Sequence, residues 1–221
     1  MTSLWTRRAF LGAAALAPAG YLFATRRPSK PSHLIAAGGH GPGYFPNVVL
    51  TTHEGRQARF YDDLLKDRFV IINFMYTVCE GICTGVTHNL KGLQQIYQDR
   101  VGKDVFMYSL TLKPEQDDAK TLAAYVKENE IGPGWTFLTG APGDLEQVRR
   151  RLGFTDPDPE LDAIRSQHTG MVKFGNVPQQ RWAACPGQLK PESIAQAIVG
   201  LLPPRAHGSM GRTMMKKRQI L

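Results

Sequence analysis

Apolar and polar positions alternate in two rhythms along this chain. The run FVIINFM, 69–75, is almost continuously apolar, as in a strand buried on both faces. The run DVFMYSLTL, 104–112, is a second strand of that kind. Between them Val86, Leu90, Leu93, Ile96 and Tyr97 recur at helical spacing, which predicts an amphipathic helix over 83–100. Upstream, 47–55 reads as a strand ending in a turn and 60–67 as a helical turn or short helix. Downstream, Pro114 with Glu115, Asp117 and Asp118 marks a helix start, and Leu122, Tyr125 and Val126 carry that helix to about 130. A short strand at 135–140 and a helix opened by Pro142 and Asp144, 142–152, come next. A loop rich in Asp and Pro, 155–167, leads to a hairpin of 168–176 and 180–185, and 191–201 forms a last helix. Strands alternating with helices, closed by a hairpin and a helix, predict an α/β domain of three layers around a central mixed sheet. No internal repeat, nucleotide-binding Gly-rich loop or second domain is visible.

Charge changes the picture at the two ends. The net charge is +8, yet no Asp or Glu occurs before Glu54 or after Glu192. Those ends hold ten of the 27 basic residues, which leaves 17 in the middle against 19 acidic ones. The folded part therefore lacks the basic face that nucleic-acid binding requires. Neither nucleic acid nor a small organic substrate is expected as a partner. At the N-terminus, TRRAFLG (6–12) resembles the twin-arginine export signal. The apolar run after it, 10–24, contains Pro18 and is shorter than the roughly 20 residues that span a membrane. The expected organisation is a signal or uncleaved N-terminal membrane anchor over 1–24, a linker over 25–46, a folded domain over 47–202 and a basic, disordered tail over 203–221. The domain would then work in a periplasm or on the outer face of the cytoplasmic membrane. His33 and His40 fall in the linker. Met210, Met214 and Met215 fall in the tail, beside Lys216 and Lys217, and read as a floppy end rather than a copper-catching or membrane-surface arm.

The candidate chemistry sits directly after the first buried strand. Cys79 and Cys83 lie four residues apart where that strand gives way to a helix. Amide groups at a helix start favour a thiolate, the form that attacks disulfides and binds soft metals. If both cysteines were helical, their β-carbons would stand about 5–6 Å apart, against about 3.5–4.5 Å in a disulfide. Two sulfurs on a shared metal stand roughly 4 Å apart. The spacing favours a metal and leaves redox exchange open, because a non-helical start could close the gap. A two-sulfur site needs a further ligand, and His168, just before a strand, is the candidate; its loop is expected at the cysteine edge if the two strands run parallel. His88 lies on another face of the helix, and His53 in a turn. Cys185 is a third, odd cysteine, read as a buried structural thiol rather than a resolving cysteine or extra ligand. Trp135 and Phe137 read as core aromatics, and Arg149 to Arg151 as a solvated helix face.

NFMYTVCEGIC followed far downstream by QHTGMVKFGN resembles the SCO (SenC) family of copper-binding assembly proteins. SLTLKPEQDD, 109–118, stands where that family has a strand leading into Asp-Pro-Glu and a helix. The resemblance covers about residues 47–200 and implies a thioredoxin-like fold in which Cys79, Cys83 and His168 are copper ligands. Two thiolates and an imidazole form a soft set, and Cu(I) accepts three-coordination where zinc prefers four ligands. Two positions depart from the family pattern: Thr84 replaces a Pro after the second cysteine, and Lys113 replaces an Asp before Pro114. The second departure removes a carboxylate near the site.

Two functions are compatible with these residues. One is an exported copper chaperone that delivers copper to a copper enzyme such as a cytochrome oxidase subunit. The other is a thiol–disulfide oxidoreductase in which Cys79 and Cys83 cycle through a disulfide to reduce the cysteines of a copper-site partner.

Overall fold

A computed structural model describes residues 43–78, 82–163 and 170–204, the side chains at 82 and 83 excepted. The expected signal or anchor, most of the linker, Cys79, the Cys83 side chain, His168 and the Met-containing tail lie outside the described residues.

Seven strands form one sheet: β1 (Val49–Thr52), β2 (Gln57–Arg59), β3 (Phe69–Met75), β4 (Val105–Thr111), β5 (Trp135–Thr139), β6 (Met171–Asn176) and β7 (Arg181–Pro186). Their order across the sheet is β2-β1-β5-β4-β3-β6-β7. β3, β4 and β5 are parallel, and the outer strands pair antiparallel, so the sheet is mixed. Every residue of β3 is buried, as its unbroken apolar pattern requires. β2 was not legible in the sequence: it is three residues, Gln-Ala-Arg, with no apolar alternation, and pairing with β1 alone makes it a strand.

The helices are α1 (Ile82–Ile96), α2 (Ala119–Glu128), α3 (Pro142–Arg151), α4 (Pro159–Ala163) and α5 (Pro191–Val199). Asn73 of β3 is level with Val172 of β6, Ser109 of β4 and, one strand further, Phe137 of β5, so these side chains share a sheet face. Tyr125 of α2 packs on Phe137 at 5.7 Å and donates its hydroxyl to Thr87 of α1 at 3.0 Å. α1 and α2 therefore cover that face, and α5 packs on α1. Phe74 points to the opposite face. There its ring lies 4.9 Å from that of Phe154, just beyond α3. Helices on both faces complete three layers.

Several local readings change. The turn after β2, Phe60–Leu65, is wound as a π-helix, with the Lys66 amide reaching the Tyr61 carbonyl at 2.8 Å. α2 starts at Ala119, not at Pro114; Asp118 caps it by accepting from the Thr121 amide at 2.7 Å. The loop expected over 155–167 contains the one-turn α4. Tyr44 and Phe45, read as the end of the linker, pack on the domain: the Phe45 ring lies 5.1 Å from Trp182, and Arg151 lies 5.8 Å from the Tyr44 ring. At the other end, Arg100 donates to the Pro203 carbonyl at 2.7 Å and Asn176 to that of Leu201 at 3.0 Å.

Candidate metal centre

The cysteine segment begins where β3 leaves the core. Tyr76 is still buried, while Val78 is 65% exposed. α1 is described from Ile82, with Cys83 its second residue, and Cys79 lies outside the described residues. Amide groups near the start of α1 favour a thiolate at Cys83.

The strand that follows His168 begins at the same edge, through an antiparallel pairing. Asn73 faces Val172 in the β3–β6 register. Continued by two residues, this register sets Gly170 level with Met75. The start of a strand lies beside the end of β3 only if that strand runs antiparallel to β3; the parallel arrangement on which the sequence reading made the shared edge depend would put it at the far edge. Gly170 is fixed at φ +56°, a region that favours glycine, and its carbonyl accepts from the Gly187 amide at 2.8 Å. The Gly187 carbonyl in turn accepts from Asn89 of α1 at 3.0 Å. A β-carbon at Gly187 would stand 2.8 Å from a Val86 methyl and 2.9 Å from the Gly170 oxygen. The chain two residues beyond His168 is therefore tied to the helix that carries Cys83.

A carboxylate also reaches this edge, from a residue that the sequence pattern assigned to a helix start. Asp117 is fully buried. It accepts from the Thr77 amide at 3.2 Å, the Thr77 hydroxyl at 2.5 Å and the Thr111 hydroxyl at 2.6 Å. Thr111 accepts in turn from the Lys113 amide at 2.9 Å. The end of β4 and the turn two residues before Cys79 are thereby joined through one carboxylate. Lys113, the departure from the family pattern, places its ammonium 4.1 Å from the centre of the Tyr76 ring. The run PEQDD gave no sign that its first Asp faces inward, because acidic residues near a helix start are ordinarily solvated.

The competing residues lie elsewhere. His88 is exposed on α1. His53 follows β1, three strand spacings or about 14 Å from β3; its Nδ1 accepts from the Phe137 amide at 3.2 Å, and burial pushes its pKa down. Trp135 and Phe137 are core residues, with Trp135 Nε1 donating to Ser109 at 2.8 Å. Cys185 is a free, buried thiol opposite Val172, and burial pushes its pKa up to about 11. Arg150 and Arg151 are exposed as expected, whereas Arg149 is 5% exposed and does not belong to a solvated face. Among the described residues no group of three His, Cys, Asp or Glu side chains forms a metal cluster, and no helix is long and apolar enough to cross a membrane. The strand that leads towards Cys79 ends, and the strand that follows His168 begins, at one sheet edge; two sulfurs and an imidazole are a donor set suited to a soft ion.

The comparisons agree with this architecture. The SCO1/SenC family model matches residues 46–202. The Sco1 protein of Schizosaccharomyces pombe is 26% identical over 125 residues, covering 54% of this chain and 46% of that protein. The chain thus spans about half the length of this relative. A SCO1/SenC family lipoprotein from Bacillus anthracis is similar in structure at 20% identity and TM-score 0.57, over 71% of this chain and 94% of that one. ScoI of Bradyrhizobium japonicum, solved with copper bound, is similar at 20% identity and TM-score 0.56, over 70% of this chain and 96% of that one. Likeness at this identity shows the fold, which is thioredoxin-like.

Proposed function

Because the chain belongs to the SCO1/SenC family, we propose that it is an exported copper carrier that holds copper through Cys79, Cys83 and His168 and passes it to a copper enzyme such as a cytochrome oxidase subunit. The observation that carries this reading is the antiparallel β3–β6 register, which sets the start of β6 beside the end of β3. Copper is the cargo. Both thiols give up their protons to bind it, which the start of α1 favours. The imidazole of His168 supplies the third donor through a neutral nitrogen. Release runs in reverse: a client's thiolates displace Cys79 and Cys83 in turn, and each freed thiolate takes back a proton. The copper-bound Bradyrhizobium relative supports the choice of ion. The twin-arginine-like TRRAFLG supports work in a periplasm or at the outer face of the membrane.

The test is an anaerobic titration of the reduced full chain with copper, followed by absorption spectroscopy. One copper per chain is expected, with a thiolate-to-Cu(II) charge-transfer band that disappears in Cys79→Ala and changes in His168→Ala. Full affinity in both variants would sink the site.

A second reading is thiol–disulfide exchange, which the thioredoxin-like fold and the Cys-x-x-x-Cys pair support. In that reaction the two thiols become a disulfide and give two electrons and two protons to a partner's disulfide, which becomes two thiols. Undiminished exchange in His168→Ala, together with weak copper binding by the wild type, would replace the first reading by this one.

A further inference from the structure

The β1–β2 hairpin is joined to the rest of the sheet by a short seam. β1 pairs with β5 over two residues, Thr51 with Thr139 and Thr52 with Leu138, whereas β3 pairs with β4 over seven. His53 continues the seam by one step. Its amide donates to the Phe137 carbonyl at 2.9 Å. The return bond goes to the side chain: the Phe137 amide donates to Nδ1 of the imidazole at 3.2 Å. A ring nitrogen thus stands where a backbone oxygen would ordinarily complete the ladder. The ring is half-buried and lies edge-on to that of Phe137, with centres 6.2 Å apart.

An imidazole accepts a hydrogen bond only when neutral, because the cation carries N–H on both nitrogens. A proton on Nδ1 would face the Phe137 N–H, donor against donor. The surroundings favour the neutral form. β5, beside the ring, is Trp-Thr-Phe-Leu-Thr and carries no charge. α2, which packs on β5, carries Lys120, Lys127 and Glu128, and Arg59 of β2 is engaged by Asp62 and Asp63. The charges felt by the ring are those of Glu54 and Arg56 in its own turn, which act in opposite senses and pair with each other at 2.6 Å. Burial therefore decides, and it lowers the pKa.

We propose that His53 is an acid-sensitive clasp: its neutral imidazole holds the turn end of the β1–β2 hairpin on β5, and a proton taken up from solvent at Nδ1 releases that end. With two residue pairs beside it, the clasp is a large part of what joins β1 to β5. The unfolded chain takes up this proton at the ordinary 6.5, the folded chain only at lower pH. The contribution of the clasp is thus full above pH 6.5 and is lost as pH falls from there through the lowered value.

The test is amide hydrogen exchange of the metal-free full chain, read as protection relative to the intrinsic rate at pH 8 and pH 5. Wild type is expected to lose protection at the Phe137 amide by roughly 10-fold or more, the factor that each pH unit below a titration gives a linked equilibrium. His53→Asn, whose Oδ1 can accept the same bond and does not titrate, is expected to keep its protection at both pH values. His53→Ala is expected to lack it at both. The Ile72 amide of β3 is expected to stay protected throughout, which a general acid loosening would not reproduce. Equal protection of Phe137 at the two pH values in wild type overturns the proposal, as does an equal loss in His53→Asn or at Ile72, or wild-type protection in His53→Ala. If neither variant folds, the titration of the His53 ring protons in wild type decides, and a midpoint at or above 6.5 overturns the clasp.

Discussion

Thr77 is joined twice to Asp117, by its amide at 3.2 Å and its hydroxyl at 2.5 Å, and this pair fixes the turn that leads into Cys79. Removing the carboxylate strands two buried or half-buried hydroxyls and an amide, whereas removing the Thr77 hydroxyl strands only one acceptor position. Asp117→Ala is therefore expected to cost about 3 kcal/mol or more, and Thr77→Val about 1–2 kcal/mol. Urea denaturation measures both. Equal, small losses would show that the carboxylate does not organise this edge.

Gly187 offers a steric test of the same edge. Its φ is not in the left-handed region, so Gly187→Ala adds a methyl without backbone strain. That methyl would meet Val86, the Gly170 oxygen and Val172 at 2.8–2.9 Å. The expected cost is about 1–3 kcal/mol. Because the contact wedges α1 away from Gly170, copper affinity should fall as well. An alanine variant with unchanged affinity would separate this contact from the metal centre.

Cys185 gives a prediction about pH. Burial raises its pKa from the ordinary 9.0 to about 11. The folded state then keeps a proton that the unfolded chain loses, so the stabilising contribution is full below pH 9 and disappears as pH rises through 11. Wild type should lose about 2 kcal/mol more than Cys185→Ala between these pH values. Denaturation curves at pH 8 and 11 give the difference, and equal losses would contradict the burial effect. At pH 8 iodoacetamide should label Cys185 only in denaturant.

The histidines can be told apart directly. His88 is exposed on α1, and His53 lies across the sheet, bonded to the Phe137 amide. His88→Ala should bind copper like wild type, while His168→Ala should lose affinity by tenfold or more, in keeping with roughly 1.4 kcal/mol per decade. Loss of binding in His88→Ala would move the third ligand to α1.

The sequence by itself determined the elements whose signal is local. The apolar run of β3 stands where the pattern put it; the helix carrying Val86, Leu90 and Leu93 ends at Ile96, short of the expected residue 100, and the hairpin opens at Met171 rather than at 168, because burial is written into consecutive residues while the ends of elements are not. Cys79, Cys83 and His168 were singled out by residue type and by the family resemblance, and their roles remain the proposal made above. Tertiary structure alone decided the direction of β6 against β3, since an isolated strand carries no mark of which way its neighbour runs. It alone decided that β2 exists, that Asp117 turns inward to Thr77 and Thr111, and that Arg149 leaves the surface for Asp162 and Glu146. A charged side chain is read as solvated until its partners are known, and here those partners come from other turns and strands that only folding brings within hydrogen-bond reach.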